Sequence, residues 1–171
     1  MTGLPGTGKS SVASVIATEI GAPVLAHDWA MSGLRPYPEI QAALGEIELG
    51  HRVVGWSILT ALARSQLRLG YSAILDGVAR APQVAQCAAV AASESARLVV
   101  VSTRCSDRQL HQSRVEGRER EIPNWYELTW DRVEPALDTW AEPEQADLRL
   151  DSTDPWDETR ARLAAYFSSL P

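Results

Sequence analysis

Apolar and polar positions along the chain alternate between two rhythms. Val12, Val15, Ile16 and Ile20 recur three and four apart, which predicts a helix over 11–20 stopped by Gly21. Pro23 to Ala26 is a short apolar run closed by His27 and Asp28, the pattern of a buried strand. A Gly- and Pro-containing loop, Ser32 to Pro38, leads into two predicted helices, Glu39–Leu49 and Val53–Leu69, broken near Gly50 and ended by Gly70. Tyr71 to Leu75 predicts a second strand, ending at Asp76-Gly77. After it come a small-residue helix, Pro82–Ala92, a third strand, Leu98–Ser102, and a charged helix, Ser106–Arg120. Pro123–Trp140 predicts another helix with a break near Pro135. A last strand, Ala146–Leu150, and a closing helix, Trp156–Leu170, complete the series.

Strands that alternate with helices imply βαβ crossovers and a mostly parallel sheet with helices on both faces. Such sheets bind ligands beyond the carboxyl ends of their strands. Asp28, Asp76 and Asp151-Ser152-Thr153 each follow a predicted strand end, so polar groups gather at one rim. No repeat, linker or low-complexity tract divides the chain, and 171 residues suit one domain, 1–171.

Gly3-Leu4-Pro5-Gly6-Thr7-Gly8-Lys9-Ser10 matches G-x-x-x-x-G-K-[ST]. Glycines let main-chain N–H groups turn inward onto phosphate oxygens, and the positive end of the helix beginning at Ser11 adds to them. Lys9 supplies a compact charge to the terminal phosphates, and the Ser10 hydroxyl offers an oxygen to Mg²⁺. The expected ligand is therefore a nucleoside triphosphate, ATP, with Mg²⁺. The expected contacts are Gly3, Pro5, Gly6, Thr7, Gly8, Lys9, Ser10 and Ser11. Such a loop is ordinarily launched from a buried strand, yet only Met1 and Thr2 precede Gly3. The expectation is a sheet whose first strand is missing or truncated, with a native start upstream.

Composition narrows the partners. The net charge is −6, which disfavours a general polynucleotide binder without excluding a local basic groove. Of the sixteen basic residues only Lys9 is a lysine, at the one position where arginine does not substitute well. No apolar run reaches the roughly 20 residues of a membrane span. Two cysteines without metal-type spacing fit a reducing cytoplasm. Nothing in the sequence bears on oligomeric state.

As an ordered set, these residues resemble a family of small P-loop kinase-like, AAA-type ATP-binding domains. It includes chloramphenicol phosphotransferase, zeta toxin and the kinase half of polynucleotide kinase. The resemblance runs over the whole chain: the phosphate loop, a strand ending in Asp28, Ile74-Leu75-Asp76 followed by Arg80, Cys105 opening a helix with Arg114 and Arg118, and Ala146 to Ser152. It implies a three-layer α/β fold with strand order 2-3-1-4-5 and transfer of a γ-phosphoryl group to a hydroxyl. In that frame Asp28 is the candidate general base. Lys9, Arg114 and Arg118 are catalytic candidates, the two arginines forming a lid from one helix face, a role that Arg120 is placed to share. Ser10 and Asp76 are candidate Mg²⁺ contacts. The resemblance also implies that Asp151 and Ser152 border the adenine, with Arg108 covering it. Trp29, Arg35, Tyr37, Trp56, Asp76 and Arg80, with Asp28, flank the acceptor region. His27 should point to the opposite face by alternation. The acceptor expected is a small hydroxyl-bearing molecule, an antibiotic among the options. A polynucleotide 5′-hydroxyl kinase is the alternative enzyme, although Met31 stands where such kinases carry an arginine. A nucleotide-binding regulator without phosphotransfer is the alternative of another class.

Overall fold

The computed structural model describes residues 1–170. In chain order the elements are α1 (Lys9–Ile20), β1 (Val24–Ala26), α2 (His27–Ser32), α3 (Pro38–Glu46), α4 (Gly50–Arg68) and β2 (Ile74–Asp76). They continue with α5 (Ala81–Ser93), β3 (Val101–Arg104), α6 (Arg108–Glu116), α7 (Trp130–Thr139), β4 (Leu148–Asp151) and α8 (Trp156–Ser168).

β1 runs parallel to β2 with Val24 opposite Ile74, and β3 runs parallel to β4 with Val101 opposite Leu148. Among the described residues, the main chain of residues 1 and 2 bridges the two pairs. Met1 donates from its nitrogen to the Leu75 carbonyl at 2.7 Å. The Thr2 N–H donates to Val101 O, and the Thr103 N–H donates to Thr2 O, both at 2.9 Å. The spatial order is β1, β2, residues 1–2, β3, β4. That is the order 2-3-1-4-5, with the central place held by two residues instead of a full strand.

Helices cover both faces because each carries one apolar stripe. On one side Val12, Ala13 and Ile16 of α1 and Leu163 of α8 pack on Ile74, Val101 and Leu150. On the other, Trp56 and Leu59 of α4 and Val84 of α5 pack with Ala79, Val100 and Ala146. A third cluster, Val115, Trp130 and Val133, ties α6 to α7 beside the phosphate loop. Full burial of a side chain such as Leu59 or Trp56 contributes about 2–3 kcal/mol.

Several boundaries move. The strands begin later than their apolar runs, and β2 and β3 extend to Asp76 and Arg104. α2 replaces the expected strand-end loop, so His27 and Asp28 open a helix, and the Ser32 hydroxyl donates back to Trp29 O at 2.9 Å. The helix expected over Pro123–Trp140 exists only from Trp130. Pro123 disfavours helical geometry at Ile122, and Asn124 adopts a left-handed φ of 59°. The helix expected to reach Arg120 ends at Glu116, with Gly117 as its cap. Arg114 and Arg118 therefore do not share a helix face. Among the described residues no helix is long and apolar enough to cross a membrane.

Candidate active site

The phosphate loop is folded by its neighbours as much as by its glycines. Gly3 has φ 144°, and a Cβ there would stand 2.3 Å from the Thr103 carbonyl oxygen, closer than any side chain tolerates. Gly6 has φ 84° and lies against α6, where a Cβ would meet Val115 at 2.7 Å. The Thr7 hydroxyl donates to Leu4 O at 2.8 Å and lies 2.8 Å from the Thr103 hydroxyl, tying the loop to β3.

From the other side His111, 1% exposed, donates from Nε2 to Pro5 O at 2.7 Å. Its ring stands edge-on to Trp130 at 5.2 Å. The sequence alone does not mark His111 as a site residue. The available signal was its four-residue spacing from Val115, which places both on the buried face of an otherwise charged helix. His111→Ala leaves the Pro5 carbonyl unpaired and opens a void under the loop. It should cost about 2–4 kcal/mol in chemical denaturation and weaken nucleotide binding in parallel.

The Lys9 ammonium donates to Leu4 O at 2.9 Å, across the mouth of the loop. Burial lowers its pKa, while Asp76 and Asp28 act to raise it and Arg118 and Arg120 to lower it. Charges from β2, α2 and the segment after α6 thus all act on this one lysine.

Ser10 donates to Asp76 Oδ2 at 2.8 Å. Asp76 is 6% exposed, and its Oδ1 is buried with no hydrogen-bond partner among the described residues. One hydroxyl and one carboxylate oxygen with spare acceptor capacity form a hard-oxygen pair of the kind Mg²⁺ accepts. Among the described residues no group of three or more His, Cys, Asp or Glu could hold an ion. A cation held by Ser10, Asp76, water and substrate phosphates fits that pattern.

Asp28 is engaged on both oxygens. His27 Nδ1 lies 3.4 Å from Oδ1, and Arg120 pairs with Oδ2. Burial acts to raise the Asp28 pKa, but the bonds from His27 and Arg120 outweigh it and hold the pKa below the ordinary carboxylate value. The expectation that His27 faces away from Asp28 fails because the two residues start a helix, where alternation does not apply. Arg120 also donates to Glu127 Oε2 at 2.9 Å and to Tyr126 O at 3.1 Å. Arg118 sits 3.6 Å from Glu127, and its Nε finds no hydrogen bond among the described residues.

The remaining candidates separate. Arg114 donates to Ser152 Oγ at 2.7 Å and Ser152 O at 3.1 Å, clamping the loop after β4. Arg108 pairs with Glu134 and lies over the Trp130 ring at 5.9 Å. Arg80 does not pair with Asp76. It caps α5 and donates to Thr139 O at 2.8 Å. Trp56 is 2% exposed and belongs to the core, while Trp29 and Tyr37 are each 55% exposed. Arg35 lies over Trp125 and Tyr126, at 5.8 and 5.2 Å from the ring centroids, and those two rings stack at 5.0 Å.

Asp151 organises the loop that carries Ser152. It accepts from the Thr153 N–H at 3.1 Å and hydroxyl at 2.8 Å, from the Ser106 N–H at 3.1 Å, and from Arg104 Nε at 2.9 Å. Burial pushes its pKa up, but the Thr153 and Ser106 bonds prevail and bring it to about 2. A depressed folded-state pKa stabilises the fold above the unfolded value of about 3.9, and that contribution is lost as pH falls toward 2. Asp151→Asn should therefore flatten the acid limb of a stability-versus-pH curve between about pH 4 and 2. Denaturation midpoints across that range check it.

A sequence model described as "AAA domain" matches residues 1–143. No curated protein sequence matches the chain. Among solved structures, the APS kinase of Mycobacterium tuberculosis, in complex with AMPPNP and APS, superposes with a TM-score of 0.64 at 21% identity, covering 98% of this chain and 95% of that one. A sugar kinase from a Janibacter species gives 0.67 at 17% identity, covering 99% and 93%. A candidate kinase from Chloroflexus aurantiacus gives 0.71 at 17% identity, covering 99% and 96%. These likenesses establish a P-loop kinase-type fold over nearly the whole chain.

Proposed function

The chain belongs to the AAA-domain family matched above, and from that premise we propose that it is an ATP-dependent phosphotransferase acting on a hydroxyl of a small molecule. The observation that carries the reading is the pairing of charged and polar groups at the phosphate loop and the strand end beside it: Ser10 with Asp76, and Asp28 with Arg120. A carboxylate paired with a guanidinium that can move to phosphate is what transfer to a hydroxyl needs beyond nucleotide binding.

In this reading the loop amides and Lys9 hold the β- and γ-phosphates. Ser10 and Asp76 hold Mg²⁺, which supplies charge neutralisation at the phosphates when bound. The acceptor oxygen forms a bond to the γ-phosphorus as the bond to the β,γ-bridging oxygen breaks. The hydroxyl proton passes to Asp28, and ADP departs. Arg120, the residue on Asp28 in this structure, must leave it for Asp28 to accept a proton. The triphosphate is the natural competitor for that guanidinium. Arg118 and Arg120, without Arg114, then take the stabilising part expected of the lid arginines.

Trp29, Arg35 and Tyr37, with Trp125 and Tyr126, give the acceptor side stacking surfaces and one cation, which suits a ring-bearing acceptor. Met31, fully buried, stands three residues after Asp28 and offers no contact to a polynucleotide. The Mycobacterium tuberculosis neighbour was solved with the ATP analogue AMPPNP. The test is incubation with γ-labelled MgATP and a panel of hydroxyl-bearing metabolites and antibiotics. Label should move to a small molecule and leave ADP. If ATP binds but no acceptor is labelled and no ADP forms, the phosphotransfer reading is wrong.

A further inference from the structure

Glycine inside a helix is unfavourable beside alanine, yet Gly55 lies within α4. Neither Gly55 nor Gly77 has a positive φ, so the backbone does not demand glycine at either place. Space does. A Cβ on Gly55 would stand 2.3 Å from His27 Nε2 and 2.5 Å from its Cδ2. A Cβ on Gly77, just past β2, would meet His27 Cβ at 3.0 Å and the Trp56 ring at 3.1 Å. Two glycines from separate elements thus open one slot beside the buried Trp56, and His27 fills it.

Both ring nitrogens are engaged there. Nε2 lies 3.2 Å from the main-chain oxygen of His51 in the first turn of α4, and Nδ1 lies 3.4 Å from Asp28 Oδ1. A carbonyl and an ionised carboxylate are acceptors only, so both contacts are satisfied when each nitrogen carries a proton. The slot and the His51 anchor fix the ring, and the ring in turn fixes Oδ1. Among the described residues only His27 and Arg120 bond the Asp28 oxygens. Arg120 holds Oδ2 and has to leave before Asp28 can act. Once it leaves, His27 is the contact that keeps the carboxylate from turning.

We propose that His27 is a positioning residue for Asp28. It pins Oδ1 so that Oδ2, the oxygen vacated by Arg120, faces the acceptor hydroxyl and takes its proton. The bond from Nδ1 to Oδ1 survives that step, because a carboxyl protonated on Oδ2 still accepts at Oδ1. His27 itself neither gains nor loses a proton and does not touch the acceptor. The role rests on Asp28 being the base of the phosphotransfer proposed above. Displacing the ring costs rate and not nucleotide affinity, since its bonds go to α4 and Asp28 rather than to the phosphate loop. A reacting group held about 1 Å out of place can lose about a hundredfold in rate.

The test sets His27→Ala, His27→Asn and Gly55→Ala beside the wild-type chain. One readout is label transfer from γ-labelled MgATP to the panel of hydroxyl-bearing metabolites and antibiotics, resolved into kcat and KM for MgATP. The other is the imidazole nitrogen NMR spectrum without nucleotide, in which His27→Asn identifies the His27 signals among three histidines. His27→Ala should lower kcat by about ten- to a hundredfold and leave KM for MgATP within about twofold. His27→Asn should recover most of that loss, because its amide nitrogen can take the place of Nδ1. Gly55→Ala keeps the imidazole but evicts it from the slot, so kcat should fall as in His27→Ala. Asp28→Asn should move the Nδ1 resonance of His27 and leave that of Nε2 in place. A packing role gives the opposite: His27→Asn no better than His27→Ala, or Nδ1 unmoved by Asp28→Asn, and either result overturns the assignment. So does full transfer by a folded Gly55→Ala. Where His27→Ala does not fold, Gly55→Ala and the spectrum decide. A wild-type chain that labels no acceptor overturns the phosphotransfer reading and this role together. Wild-type transfer that the variants leave unchanged overturns this role alone.

Discussion

Lys9→Ala abolishes productive nucleotide handling while leaving the fold at least as stable as before. The ammonium is half-buried, and among the described residues its only hydrogen bond is to a neighbouring carbonyl, Leu4 O. A charge removed from water and only partly compensated destabilises the ligand-free protein, so its removal is neutral or stabilising. With triphosphate bound, the same charge lies against phosphate oxygens. A charge-assisted bond there contributes about 1.5–3 kcal/mol, or roughly ten- to a hundredfold in affinity. Its share of transition-state stabilisation adds about 10²–10³ in rate. Thermal unfolding and a MgATP titration on the same preparation separate the two effects. A variant that loses stability and binding together shows instead that Lys9 is a structural residue.

Asp28→Asn is the second large effect, and it divides binding from chemistry. The amide keeps the size of the carboxylate but cannot take the acceptor proton, so transfer should fall by about 10²–10⁴. MgATP affinity should hold or improve, because Arg120 loses its ionic partner and is freed for the phosphates. The change also breaks the link from α2 to Arg120 and Glu127, so the segment between α6 and α7 should exchange its amides faster in the absence of nucleotide. Undiminished transfer by Asp28→Asn removes Asp28 as the base.

The sheet order and the phosphate loop were legible because each rests on local pattern. Apolar runs alternated with helical stripes, and the Gly3 to Ser10 spacing admits few other uses. Asp28 and Asp76 were legible as strand-end acids, and Ser10 as the hydroxyl beside Asp76. What failed was everything set by one or two backbone angles. Gly117 ends α6 early, so Arg114 and Arg118 part company, and Arg114 goes to Ser152. Pro123 and Asn124 keep the next stretch out of a helix, which brings Glu127 and Arg120 together over Asp28. His111 was invisible because a histidine between charged residues looks solvated until Trp130 and Pro5 close over it. Trp56 could be read as core or as acceptor wall, and only packing decided that it is core.

Everything proposed for this chain requires Gly3 to Ser10 to be a working triphosphate site with Lys9 at its mouth. Calorimetric titration of MgATP into the wild-type chain tests it most directly. One saturable site per chain is expected, filled by ATP in preference to AMP and weakened at least tenfold by Lys9→Ala. Absence of binding at millimolar MgATP by a folded protein, or affinity unchanged by Lys9→Ala, contradicts it.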